Sequence, residues 1–210
     1  RKRDFASENW QKYDNTLHNL YLRTGEPRLD DRGLYRVLSL KKNDGQFLFE
    51  WTSDMEIWDK EDHWCSPDEF LYCTKNKKGE CVPENNPEGK YRDDCDGFAG
   101  FHCDVLHRLN EYYFVNWIEI YWQRYSNIWK SLGHAITIYK RTPSEKFKVF
   151  SNQTWLRSTS GFDRIEDVIL SFVPLNVPEQ KDNYKLMFAK GRHPVTGKLL
   201  WQIDGSKFII

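Results

Sequence analysis

The stretch Glu111–Tyr125, EYYFVNWIEIYWQRY, is the most apolar and aromatic run of its length in the chain. Side chains of a strand alternate between two faces. Here one face carries Tyr113, Val115, Trp117 and Tyr121, and the other Tyr112, Phe114, Ile118, Ile120 and Trp122. Both faces are apolar, which predicts a central strand covered on both sides. As a helix it would be apolar almost all round, and its β-branched and aromatic residues disfavour that choice. Such a strand fills a core, or Trp117, Tyr121 and Trp122 line a ligand-binding cavity.

Outward from this strand the sequence reads as mainly β, with about nine strands in one domain over residues 1–210, a sandwich or barrel. Gly33–Lys42 and Gln46–Ser53 flank Asn43-Asp44-Gly45, a hairpin signal. His134–Arg141 alternates as a strand, and Phe147–Leu156, Val168–Val173, Tyr184–Lys190, Leu199–Ile203 and Lys207–Ile210 follow between prolines and glycines. Residues 4–24 differ: Trp10, Tyr13, Leu17, Leu20 and Tyr21 recur at helical spacing, and Gly25 and Pro27 end the pattern.

Composition sets bounds. The chain has 210 residues with 9 Trp, 11 Tyr and 13 Phe, so its core is aromatic. Lys and Arg total 31, as do Asp and Glu, giving no net charge. A global pull toward nucleic acid or anionic membrane is not expected. No apolar run is long enough for a transmembrane helix.

All five cysteines, Cys65, Cys73, Cys81, Cys95 and Cys103, fall within residues 65–103, a stretch rich in charge and turn formers. This predicts an inserted loop held by two disulfides with one thiol left over, and hence a secreted or extracellular protein. Zinc held by His63, Cys65, Cys103 and His107 is the weaker alternative, because no Cys-x-x-Cys pair exists. Asn152-Gln153-Thr154 is an N-glycosylation acceptor pattern. Phe70 ahead of Cys73, Gly79-Glu80-Cys81-Val82-Pro83 and Cys95-Asp96-Gly97 resemble parts of a low-density-lipoprotein-receptor class A repeat. The six cysteines and the Ser-Asp-Glu calcium cluster of that family are missing here.

Function is less legible. No Gly-x-Ser-x-Gly, phosphate-binding glycine loop or His-Glu-x-x-His occurs. The leading expectation is a binding protein that recognises a protein or glycan partner. Its contact surface would be the loop (Lys77, Lys78, Asp93, Asp94) or the aromatic face of Trp117, Tyr121 and Trp122. The alternative is a glycosidase-like hydrolase. Its acids would be Glu119, set among aromatics that would raise its pKa, or Asp54 and Glu56 with His63 nearby. A third is a self-assembling viral structural protein, since zero net charge removes self-repulsion. No cofactor is expected. Asp93, Asp94 and Asp96 also suit calcium as hard oxygen ligands, although the EF-hand spacing is not met.

Overall fold

A computed structural model describes residues 8–58, 67–72, 91–124, 127–156, 161–176 and 184–208. In chain order they form helix α1 (Glu8–Leu22), α2 (Asp31–Leu38), strand β1 (Phe49–Trp51), α3 (Asp54–Trp58), α4 (Pro67–Tyr72) and β2 (Tyr91–Asp93). Then come α5 (Cys95–Arg108), β3 (Phe114–Arg124), β4 (Asn127–Lys140), β5 (Lys148–Ser151), β6 (Thr154–Leu156), α6 (Ile165–Asn176), β7 (Tyr184–Arg192) and β8 (Leu199–Asp204). Six strands make one antiparallel sheet in the order β6-β5-β4-β3-β7-β8, while β1 and β2 form a small parallel pair.

The predicted central strand is β3, paired with β4 on one side and β7 on the other. Both of its faces are covered. Val115 and Trp117 join Ala135, Tyr139 and Phe150 against α1, α2, α4 and α5. Ile118, Ile120 and Trp122 join Ile136, Ile138 and Val149 against Val168, Ile169 and Phe172 of α6. Trp117 and Trp122 are buried in these two cores.

The expected nine-strand sandwich or barrel is corrected to one sheet with helices on both faces. Gly33–Lys42 contributes α2 in place of a strand. Asp30 caps it by accepting from the Arg32 and Gly33 amides, and Leu34, Val37 and Leu38 recur at helical spacing on its buried face. Val168–Val173 lies in α6, where Val168, Ile169 and Phe172 form the buried stripe. The hairpin signal at Asn43–Gly45 does make a turn, with Gly45 at φ 86°, but only Lys41 and Phe47 pair across it. Of the strand expected over 207–210, Lys207 and Phe208 lie instead in a 3-10 turn, Gly205–Phe208, and residues 209–210 lie outside the described residues.

The cysteine-rich segment is corrected as well. Its last nine residues are the first turns of α5, whose Phe98, Phe101, Cys103, Val105 and Leu106 are buried core. Cys95 and Cys103 are free thiols, so no bridge ties either end of that helix. Cys103 is enclosed, with Sγ 3.4 Å from Thr137 Oγ1 on β4. Cys65, Cys73, Cys81, His63, Lys77 and Lys78 lie outside the described residues. No helix among the described residues is long and apolar enough to cross a membrane.

One close approach fixes the β7–β8 edge. Trp201 lies over Gly191, where an added Cβ would stand 2.1 Å from the indole, and Trp201 Nε1 donates to Asn116 Oδ1 at 3.1 Å. Gly191→Ala must displace the ring and break that bond. A loss of about 1–3 kcal/mol in urea unfolding is expected, with an unchanged denaturant slope because the fold persists.

Candidate functional site

Helix α5 begins where β2 ends. Asp94 is its N-cap and accepts from the Asp96 amide at 3.1 Å, so Cys95 is the first helical residue. The helix then lies across β4 and β5. This carries the thiol to the point on the sheet where β5 leaves β4. Pairing of these two strands runs from Tyr139–Lys148 to Thr137–Phe150 and stops. Beyond it the Ala135 amide is not used by β5. It hydrogen-bonds the Cys95 sulfur instead, together with the Cys95 amide itself.

Ala135 follows His134. The His134 ring belongs to the α6 side of the sheet, 5.6 Å from Phe172, and its Nε2 is 2.8 Å from Ser151 Oγ at the end of β5. Asn152 comes next, in the two-residue turn between β5 and β6, with φ 48°. Its Oδ1 is enclosed and has no hydrogen-bond partner. The positive φ suits asparagine, whose short polar side chain tolerates that region. Thus the thiol at the start of α5 packs with the core on one face of the sheet and the His134 ring with the core on the other, from neighbouring points of β4, and the Ser-Asn turn lies at the end of β5.

The electrostatics of the pair are defined. Burial raises the pKa of the Cys95 thiol, the charges of Asp94 and Asp96 add to that, and the two amides oppose it. The thiol is therefore held as S–H. Burial lowers His134 to about 4, with Asp94 pulling the other way. The imidazole is thus neutral at pH 7 and a weak base. The thiol and the imidazole are thus both neutral at pH 7.

The residues singled out from sequence fall elsewhere. Glu119 is buried and held by Arg192 of the neighbouring β7, with Arg192 Nη2 3.2 Å from Oε2 and Nε on Oε1. Tyr121 OH adds a 3.4 Å bond to Oε2. Glu56 is exposed on α3. Asp54 (2% exposed), Asp93 (0%) and Asp94 do converge, with one carboxylate oxygen of each within 4.8 Å of the others. This cluster lies beside the start of α5. Asp96 joins it, its pKa raised well above the usual carboxylate range by burial and by its acidic neighbours.

Neither Cys95 nor His134 emerges from the sequence as a site. A signal was present in Asp94, an N-cap residue ahead of Phe98, Phe101 and Val105 at helical spacing, which puts Cys95 at a helix N-terminus. A single cysteine, histidine and asparagine far apart in sequence is the pattern such chemistry leaves. Among known proteins, neither a family model nor a curated protein matches the chain.

Proposed function

We propose that this protein is an acyl-transfer enzyme with Cys95 as nucleophile and His134 as general base. The observation that carries this reading is the seating of the Cys95 sulfur on the backbone amide of Ala135, the residue that follows His134 in β4. The substrate is an amide or ester. His134 takes the thiol proton as sulfur attacks the carbonyl carbon, then returns it to the leaving amine or alcohol. The resulting thioester is cleaved by water or by an amine acceptor. Ser151 holds the ring orientation, and Asn152 supports that turn.

A second reading, recognition of a protein or glycan, is favoured by a cleft of about 300 Å³ lined by Tyr35, Leu38, Ser39, Phe47, Gln153 and Thr154. Phe47 and nearby Trp51 are half exposed. Because Gln153 and Thr154 continue directly from Asn152, this cleft also serves the enzyme reading as a substrate-binding surface. The proposed secreted location now rests on Cys65, Cys73 and Cys81, with Cys95 and Cys103 free.

Labelling of the native protein with a peptide-type thiol electrophile tests the proposal. Mass mapping is expected to place the adduct on Cys95, with Cys103 protected by burial, and His134→Ala should slow labelling at least tenfold. Labelling at Cys95 that is indifferent to His134, together with no turnover on a panel of peptide, ester and isopeptide substrates, would return the protein to the binding reading.

A further inference from the structure

The acidic cluster beside α5 is not used by the chemistry proposed for Cys95 and His134. Its members come from three elements: Asp54 opens α3, Asp93 closes β2 and Asp94 caps α5. The parallel β1–β2 pair assembles them. The Thr52 amide donates to the Asp93 carbonyl at 2.9 Å, so the chain leaving β1 carries Asp54 past the end of β2.

Acidic groups on a surface are commonplace, but Asp54 and Asp93 are buried and Asp94 half-buried, and a fourth carboxyl is bonded to Asp94. Asp96 is 8% exposed and hydrogen-bonds Asp94 through its carboxyl, with Asp93 and Asp54 the next charges acting on it. Its Oδ2 is shut off from solvent with no hydrogen-bond partner. Carboxylates this close repel one another, and an enclosed oxygen without a partner is costly to keep. A hard divalent cation relieves both. Calcium binds oxygen at about 2.3–2.6 Å, so two of its ligands stand at most about 5 Å apart. The oxygens of Asp54, Asp93 and Asp94, within 4.8 Å of one another, fit inside that span. Magnesium demands near-ideal octahedral geometry and gives up its waters reluctantly, and zinc favours nitrogen and sulfur.

We propose that Asp54, Asp93, Asp94 and Asp96 form a calcium site that ties β1, β2 and the start of α5 together. The site is independent of the acyl-transfer reading, because its test is binding and stability. Protein freed of metal with a chelator is titrated with calcium chloride by calorimetry and melted with and without the ion. Binding of one ion per chain is expected, with the melting temperature raised about 5–10 °C at a hundred times Kd. Magnesium at the same concentration should shift it less. Asp54→Asn and Asp93→Asn should each weaken binding at least tenfold, whereas Asp163→Asn, on the exposed surface, should not. If Asp93→Asn does not fold, Asp54→Asn and the wild-type titration still decide. No binding heat and no melting shift up to about 10 mM calcium would overturn the proposal. So would an undiminished response in Asp54→Asn, or magnesium stabilising as strongly as calcium.

Discussion

Cys95→Ala should abolish turnover, lowering kcat on an amide or ester substrate by about 10⁴-fold or more while leaving the fold intact. Loss of the nucleophile of a coupled nucleophile–base unit costs about as much as loss of the whole unit. His134→Ala should therefore be nearly as damaging, and the double variant little worse than either single one. Cys103→Ala is the control, since that thiol lies in the core against Thr137. The pH profile carries a second signature. With His134 lowered to about 4 and the thiol raised above its ordinary value, both groups are neutral over a broad range around pH 7. Activity should fall on the acid side only as pH approaches about 4, where the imidazole gains a proton and ceases to be a base. Ser151→Ala frees the ring, and an expected tenfold loss with a shifted acid limb would separate positioning from mere structure. Full activity in Cys95→Ala would remove the enzyme reading.

How much of this was legible in the sequence differs by element. The central strand was, because a long alternating run with both faces apolar has few other solutions, and α1 was, because Tyr13, Leu17 and Leu20 all turn inward at helical spacing. The helices α2, α5 and α6 were not. Helix α6 is rich in valine and isoleucine and α5 carries Phe98, Phe101 and Val105, whose local preference favours strands, and tertiary burial overrode it; α2 was masked by the turn signal that follows it. In α5 the misreading had a second cause. Five cysteines crowded together suggested disulfides, and that drew attention from Asp94 as a helix cap. The site was hidden for a further reason: Cys95 reaches the Ala135 amide only because α5 crosses the sheet where β5 stops, which no local pattern encodes. Glu119 invited attention as an acid among aromatics, but its partner Arg192 lies on a strand remote in sequence.

Stability should fall steeply on mild acidification, and His102 should be the largest single cause. It lies wholly inside α5's core face, its ring 4.9 Å from Phe150 and 6.0 Å from Phe98, with no hydrogen-bond partner on either ring nitrogen. Burial lowers its pKa to about 3 from 6.5. The folded chain therefore keeps His102 neutral where the unfolded chain protonates it. Between pH 6.5 and about 3 the unfolded state binds the extra proton, so stability is full above 6.5 and is lost as pH falls through that window. Each such histidine contributes a slope approaching 1.4 kcal/mol per pH unit, or about 2–3 kcal/mol by pH 4.5. His134, lowered to about 4, adds a smaller loss of the same sign. Asp96 acts oppositely: its raised pKa gives the folded state a proton that the unfolded carboxylate lacks, which offsets part of the acid loss. His102→Leu separates these contributions. It should keep or raise the melting temperature at pH 7, since two unpartnered nitrogens leave the core, and it should flatten the decline between pH 6.5 and 4.5. Calorimetric melting temperatures across that range check it, and an unchanged pH slope in His102→Leu would show that the imidazole is not buried neutral in the folded protein.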